Sequence, residues 1–219
     1  MNKKLSSKYI LFDLDGTIIA SDPGITMSIK YALEKNSMVS PTLEELKVFV
    51  GPPLQEKFRE VFGISSEEAD KLISYYRERY NTIGKYECNV YDGIKELLEV
   101  LKSKGKVLAV ATSKPEKAAR DILNHFSISE YFDFIGGDTP NHDRKDKTAV
   151  INYVMNELGA KDTSEVIMVG DTHYDVIGAR NSGVECIGVL YGYDSKEDLE
   201  DSKPFVMVEN PLDILSVFE

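Results

Sequence analysis

The C-terminal half of the chain alternates between short apolar runs and longer amphipathic segments, and this alternation constrains the fold more than any other feature. Apolar runs typical of buried strands lie at 107–111, 132–135, 166–169 and 186–190. Segments with helical spacing of apolar residues lie between them, at 117–126, 148–158 and 174–181. Strands that alternate with helices in this way predict a parallel sheet with helices on both faces.

One further run, Tyr9–Phe12, has the continuous apolar character of a strand buried on both faces. Between it and 107–111 the sequence is mostly helical, with four short amphipathic segments that begin near Asp22, Pro41, Leu54 and Ser65. Four such helices predict a small bundle that folds as a domain of its own. We therefore predict a core formed by residues 1–18 and 90–219, with a helical domain at 19–89 inserted in it.

Asp13 and Asp15 come directly after the first predicted strand at a spacing of two residues. Residues two apart in an extended chain project to the same side, so both carboxylates can face one small volume. Two acids there repel each other unless a cation or a proton lies between them. Mg²⁺ suits that position because it takes one or two carboxylates and leaves room for phosphate oxygens. The alternative is an ordinary Asp-Gly turn in which Asp13 only caps the adjoining turn.

Polar residues also lie at the ends of the other predicted strands. Thr112 and Ser113 precede a predicted helix, so their hydroxyls and the next amides could hold a phosphate dianion, although a plain helix cap is the alternative. Asp171 and Asp175 lie four apart at a helix start, where acidic residues also serve as partners of the helix dipole. Open parallel sheets bind ligands at their carboxyl edge, so these acids together with Asp13 and Asp15 indicate a hard cation.

The composition argues against several functions. With 26 basic and 37 acidic residues the net charge is −11, which argues against nucleic acid or an anionic membrane as a partner. Cys88 and Cys186 form neither a disulfide framework nor a metal motif, and the N-terminus lacks the apolar segment of a secretory signal, so we predict a cytoplasmic protein. The three histidines show no metal-type spacing, and we predict His173 in a loop beside the site and His125 and His142 at the surface.

The order of these motifs resembles the haloacid dehalogenase superfamily, in particular its phosphoglycolate-phosphatase-like branch with a helical cap. The chain has D-x-D-G-T at 13–17, a helical insert, a Thr or Ser at 112, a lysine, and G-D-x-x-x-D at 170–175. The resemblance implies a five-stranded Rossmann-like core, a cap at 19–89, and a cap loop that faces the substrate at 51–54. Asp15 favours a phosphatase, because the dehalogenases of the family lack this second aspartate.

The resemblance also implies roles for individual residues. Asp13 would be the nucleophile that forms an aspartyl-phosphate, and Asp15 would be the general acid and base. Mg²⁺ would be bound by Asp13, the carbonyl of Asp15, Asp171 and Asp175. The substrate phosphate would be held by a lysine and by Gly16, Thr17, Thr112 and Ser113.

The resemblance favours a Mg²⁺-dependent phosphomonoesterase that acts on a small phosphorylated metabolite, as a monomer or small homo-oligomer. Phosphoglycolate, a nucleotide, pyrophosphate and a sugar phosphate all remain open as substrates. One alternative is a mutase similar to β-phosphoglucomutase. Another is a phosphate-binding regulatory module without turnover, against which Asp15 argues, since binding alone needs no general acid.

Two lysines, Lys145 and Lys147, are candidates for the site lysine. Lys147 lies three and four residues ahead of Val150 and Ile151 and therefore falls on the inward face of the predicted helix. A lysine on that face needs an anion nearby, because its charge is poorly solvated there. We therefore predict that Lys147, rather than Lys145, bridges Asp13 and a phosphoryl oxygen.

Overall fold

The computed structural model describes residues 5–139, 143–144 and 146–218. The described chain divides into two compact units. The first comprises the chain up to Ile19 together with the chain from Val90 onward, and the second is Ala20–Asn89. These units fall close to the predicted division at 18/19 and 89/90, but their roles as catalytic core and cap stay predictions.

The strands, in chain order, are β1 (Tyr9–Phe12), β2 (Ile19–Ala20), β3 (Asn89–Val90), β4 (Val107–Pro115), β5 (Phe134–Asp138), β6 (Val166–Gly170), β7 (Glu185–Val189) and β8 (Val206–Val208). The α-helices are α1 (Asp22–Lys35), α2 (Leu54–Phe62), α3 (Ser66–Tyr80), α4 (Ile94–Ser103), α5 (Glu116–His125), α6 (Lys147–Glu157), α7 (His173–Asn181) and α8 (Lys196–Asp201). Short 3₁₀ helices cover Glu45–Phe49, Gly84–Tyr86, Ser129–Tyr131, Thr163–Glu165 and Pro211–Val217.

The first unit is built on a parallel sheet with the strand order β5-β4-β1-β6-β7-β8. All four residues of β1 are buried, and Leu11 aligns with Ala109 on one side and Met168 on the other. The predicted α/β class, a parallel sheet with flanking helices, is confirmed. The predicted number of five strands is wrong, because β8 adds a sixth beside β7. β8 has only three residues and is half-buried, so its apolar signal is short.

Two predicted boundaries at the sheet edge are corrected. β4 continues through Thr112 and Ser113 to Pro115, with a shift in its register against β5 after Ala111. Neither hydroxyl caps α5, which begins at Glu116, and the Thr112 hydroxyl instead accepts a hydrogen bond from the amide of Lys114 at 3.2 Å. His173 is the first residue of α7 and not a loop residue, because Asp175 caps this helix through the amide and hydroxyl of Thr172.

The second unit contains α1, α2 and α3, and its helix predicted from Pro41 is a 3₁₀ turn at Glu45–Phe49. Gly24 allows the backbone of α1 to contact the 3₁₀ helix Gly84–Tyr86, since a Cβ at Gly24 would lie 1.9 Å from the carbonyl oxygen of Gly84. Arg79 forms a bidentate pair with Glu87 at 2.7 and 2.9 Å, which ties α3 to the end of the unit.

Three further observations concern the cysteines, two histidines and possible membrane segments. Within the described residues neither Cys88 nor Cys186 forms a disulfide, and both are buried, as small apolar residues would be. His125 is exposed, as predicted, and His142 lies outside the described residues. Over the described ranges, no helix combines the length and the apolar character that crossing a bilayer requires.

Candidate active site

Three buried aspartates meet at the carboxyl edge of the sheet. Asp13 comes directly after β1, Asp171 directly after β6, and Asp175 lies in the first turn of α7. β1 and β6 are hydrogen-bonded neighbours, so their ends lie side by side. One carboxylate oxygen from each aspartate can be chosen so that all three lie within 4.8 Å of one another. Asp171 and Asp175 are fully buried and Asp13 is 8% exposed, so the three carboxylates form an interior cluster.

Lys147 supplies the positive charge next to this cluster. It is the first residue of α6, which Asp146 caps by accepting from the amide of Ala149 at 2.8 Å. The Lys147 ammonium lies 2.9 Å from Asp13 Oδ1 and 2.8 Å from Asp175 Oδ1, and it donates to the carbonyl of Ala111 at 3.2 Å. The lysine therefore joins the ends of β1, β4 and α7.

Burial and repulsion between carboxylates raise the pKa of two acids of the cluster, Asp13 and Asp171. Burial, opposed by Lys147 and reinforced by Asp175, raises the pKa of Asp13 to about 6. Burial, together with the charges of Asp175 and Asp13, raises the pKa of Asp171 well above its usual range. Burial alone would lower the pKa of Lys147, but Asp13 and Asp175 outweigh it and raise this pKa. Asp13 and Asp171 therefore hold protons more tightly than solvated carboxylates do, while Lys147 stays charged.

The charge balance of the cluster favours a divalent cation. Three carboxylates face one ammonium, which leaves two negative charges when all are ionised. Asp13 Oδ1 and Asp175 Oδ1 are buried and have no hydrogen-bond donor within the described chain beyond their ion pairs with Lys147. Uncompensated buried charge is costly, and carboxylate oxygens are the ligands that hard divalent cations prefer. The residues present therefore fit such an ion.

Asp15 has a different partner from the other acids. Its two carboxylate oxygens lie 2.8 and 2.7 Å from the ammonium of Lys114, at the end of β4 beside β1. The Lys114 side chain is 6% exposed and that of Asp15 is 21% exposed, so this pair is partly buried. The Asp15 side chain is not part of the three-aspartate cluster, and its predicted contact to the metal is through its backbone carbonyl.

Gly16 and Thr17 hold Asp171 in place. Gly16 has a φ of +78°, and a Cβ there would lie 2.0 Å from Asp171 Oδ2, so both the turn and the close approach require glycine. The hydroxyl of Thr17 is fully buried and donates to Asp171 Oδ1 at 3.0 Å. These contacts favour a role in orienting Asp171, and the predicted contact of both residues with substrate stays untested.

The remaining predicted residues lie near the same sheet edge or outside the described ranges. Thr112 is buried at the end of β4, in the strand next to β1, and Ser113 beside it is exposed. Lys145 lies outside the described residues. Lys114 was missed as a site residue, although its position directly after Thr112 and Ser113 at a strand end was a usable signal. Gly178 was missed as well: a Cβ there would lie 2.7 Å from Cβ and Cγ of Lys147, so α7 can approach this lysine only with glycine.

Comparisons with known proteins agree with this geometry. Residues 10–189 match the family model described as haloacid dehalogenase-like hydrolase. The chain is 40% identical over 195 residues to a 5'-nucleotidase of Pseudomonas aeruginosa, covering 89% of this chain and 88% of that one. It is 30% identical over 219 residues to a phosphoglycolate phosphatase of Vibrio parahaemolyticus, covering 96% and 95% of the two chains.

One solved structure of a phosphatase is also similar to this chain. The crystal structure of a predicted phosphatase from Clostridium acetobutylicum superposes with a TM-score of 0.88 at 41% identity, covering 96% of this chain and 99% of that one. The resemblance inferred from the motifs and the prediction of an enzyme of the phosphatase class are confirmed. The chain belongs to the haloacid dehalogenase-like hydrolase family.

Proposed function

We propose that this protein is a Mg²⁺-dependent phosphomonoesterase that hydrolyses a small phosphorylated metabolite through an aspartyl-phosphate on Asp13. The observation that carries the proposal is the cluster of Asp13, Asp171 and Asp175 with one ammonium, at the edge where parallel sheets bind ligands. Mg²⁺ bound by these acids and the carbonyl of Asp15 would neutralise charge on the transferring phosphoryl oxygens.

The first chemical step would be attack on phosphorus by an oxygen of Asp13. A new bond forms between that oxygen and phosphorus, and the ester bond to the leaving alcohol breaks. Asp15, two residues on, would give its proton to the leaving oxygen. Lys147 would hold Asp13 in place and offset the growing negative charge, because its ammonium already lies 2.9 Å from Oδ1.

The second step would reverse the roles. Asp15, now ionised, would take a proton from water as that water attacks phosphorus, and the bond between phosphorus and Asp13 breaks. Inorganic phosphate and the free carboxylate of Asp13 are the products. Lys114 would keep the Asp15 carboxylate aimed at the reacting atoms by holding both of its oxygens.

The substrate is proposed only as a class, a small phosphate monoester. The similarity to a 5'-nucleotidase supports a nucleoside monophosphate as one candidate, and the similarity to phosphoglycolate phosphatases supports phosphoglycolate as another. Phosphate release should be measured over a panel of nucleoside 5'-monophosphates, phosphoglycolate, pyrophosphate and sugar phosphates, with Mg²⁺ and with chelator. Asp13→Asn is the control, because an amide cannot attack phosphorus.

The panel also tests the alternatives. Isomerisation of a hexose 1-phosphate without phosphate release would support a mutase. Phosphate binding with no turnover of any ester would support a regulatory module. Release of phosphate that survives exhaustive chelation, or that Asp13→Asn retains, would overturn the proposed mechanism.

We also propose that the unit Ala20–Asn89 acts as the cap that selects the substrate. The family resemblance assigns substrate contact to residues 51–54, of which Leu54 is the first residue of α2. Leu54→Ala should therefore lower kcat/KM for the best metabolite more than for p-nitrophenyl phosphate. Val61→Ala is the control, since Val61 lies on the same helix with 42% of its surface exposed. Equal effects of Leu54→Ala on both substrates would contradict this role.

A further inference from the structure

The loop after β7, residues 190–195, lies directly against Asp171. The amide of Tyr193 donates to Asp171 Oδ2 at 2.9 Å. A Cβ at Gly192 would lie 2.2 Å from Asp171 Cβ and 2.4 Å from its Oδ2, so the loop backbone touches this side chain. The 190–195 loop therefore packs against Asp171, an aspartate that we assign to the metal site.

Residues of the same loop on either side of Gly192 and Tyr193 form further hydrogen bonds. On one side, the hydroxyl of Tyr191 donates to the carbonyl of Thr17 at 3.0 Å. On the other side, Asp194 Oδ2 accepts from the amide of His173 at 2.6 Å and lies 2.7 Å from His173 Nδ1. Thr17 is itself the residue whose hydroxyl donates to Asp171 Oδ1. The loop is thus tied both to the turn after β1 and to the first residue of α7, the helix that carries Asp175.

These contacts fix the orientation of the Asp171 carboxylate. Oδ1 accepts from Thr17 and Oδ2 accepts from Tyr193, so the carboxylate plane is held from both ends. Each carboxylate oxygen has two lone pairs, which leaves one on each oxygen for a cation. A ligand that is already oriented loses less conformational freedom when the metal binds, and partners behind metal ligands commonly change metal affinity 10- to 100-fold.

We infer that the 190–195 loop is a positioning element for the metal, with Asp194 and Tyr191 as its positioning residues. The inference rests on the proposed function in one respect, namely that the three-aspartate cluster binds Mg²⁺. Neither positioning residue belongs to the cluster, so each can be changed while all three carboxylates stay in place.

The test is a calorimetric titration of Mg²⁺ into the metal-free protein in the absence of substrate. Asp194→Ala removes the tie to His173 and should raise the dissociation constant for Mg²⁺ about tenfold. Asp194→Asn keeps an oxygen that accepts from the His173 amide, so its affinity should stay close to that of the wild type. Asp201→Ala is the charge control, because it removes one exposed carboxylate at the end of α8.

Tyr191→Phe provides a second, milder test that removes one hydroxyl and leaves the ring. It should also weaken Mg²⁺ binding, whereas the matched Tyr131→Phe, which removes a hydroxyl that donates to Glu99, should not. Circular dichroism would establish that each variant is folded, and if Asp194→Ala is not, Tyr191→Phe decides the question. At saturating Mg²⁺ the folded variants should recover most of their kcat, as expected for a change in metal affinity.

The outcomes separate this inference from the proposed function. If the wild type binds Mg²⁺, Asp171→Asn abolishes binding, and the loop variants match the wild type, the positioning role is overturned while the metal site stands. If the wild type binds no Mg²⁺, or if Asp171→Asn binds it normally, the metal site itself is wrong and the inference falls with it.

Discussion

The ammonium of Lys147 lies 2.9 Å from Asp13 Oδ1, and among the described residues no hydrogen-bond donor beyond this ion pair reaches that oxygen. A buried carboxylate oxygen with a single cationic partner depends on it both for position and for charge. If Asp13 attacks phosphorus, the same ammonium is next to the oxygens on which charge develops.

Lys147→Ala should therefore lower kcat by about 10²-fold or more, as the loss of one charge partner of a transition state does. The measurement is steady-state kinetics on protein whose folding has been checked by circular dichroism. Lys145→Ala should cost little, and Lys161→Ala, at an exposed position, controls for the loss of one positive charge. A larger loss in Lys145→Ala than in Lys147→Ala would transfer the role to Lys145.

The pair formed by Asp15 and Lys114 predicts a dependence on the leaving group. Asp15→Asn should slow hydrolysis of an alkyl phosphate by about 10²- to 10⁴-fold and that of p-nitrophenyl phosphate much less, since nitrophenolate leaves without a proton. Lys114→Met should show the same pattern in weaker form, because it removes the group that holds Asp15. Kinetics on both esters provide the measurement.

Lys117→Met is the control for this pair, since Lys117 pairs at an exposed position with Asp121. Equal losses of Asp15→Asn on both esters would remove Asp15 from the role of general acid. If Asp15→Asn slows the alkyl ester more than p-nitrophenyl phosphate but Lys114→Met does not, Asp15 is still the general acid. Lys114 then has no part in positioning Asp15.

The parts of the site that could be predicted were those with a local signature. The pair Asp13 and Asp15 comes directly after a buried strand, and the helical spacing of Val150 and Ile151 predicts the placement of Lys147. Both depend only on residues that are close in sequence. The α/β class was predictable for the same reason, because each strand and helix carries its own periodicity.

The parts that could not be predicted depend on long-range packing. Lys114 and Asp15 are 99 residues apart and meet because β4 pairs with β1, which the sequence does not specify. The amide of Tyr193 reaches Asp171 through the backbone, and any residue except proline supplies such an amide. β8 was overlooked as a strand because a three-residue edge strand carries little pattern.

The raised pKa of Asp13 predicts that Mg²⁺ stabilises the protein more at neutral than at acidic pH. In the metal-free fold the pKa of Asp13 is about 6, above its usual value of 3.8. As the pH rises, the Asp13 carboxyl therefore loses its proton at a lower pH in the unfolded chain than in the fold. The metal-free protein accordingly loses stability as the pH rises from about 4 to about 6. At low pH Mg²⁺ must displace the proton that Asp13 retains, whereas at higher pH it neutralises the negative charge of the ionised Asp13 carboxylate.

The rise in Tm on addition of Mg²⁺ should therefore be larger at pH 7.5 than at pH 5, as measured by thermal unfolding at matched ionic strength. Ca²⁺ provides a comparison, since its larger and looser coordination shell should stabilise the fold without supporting turnover. Equal stabilisation by Mg²⁺ at both pH values would mean that protons and metal do not compete at this cluster.

Gly16 and Gly105 offer a matched pair that separates backbone strain from damage to the proposed metal site. Both have a positive φ, +78° and +75°, so an alanine at either position costs about 1–2 kcal/mol in the left-handed region. A Cβ at Gly105 would meet nothing within 4 Å, whereas a Cβ at Gly16 would lie 2.0 Å from Asp171 Oδ2. Gly16→Ala should therefore lose more stability in urea than Gly105→Ala and should also lose Mg²⁺ binding. If Gly16→Ala binds Mg²⁺ as the wild type does, Asp171 has room to move and its fixed position is not needed for the metal.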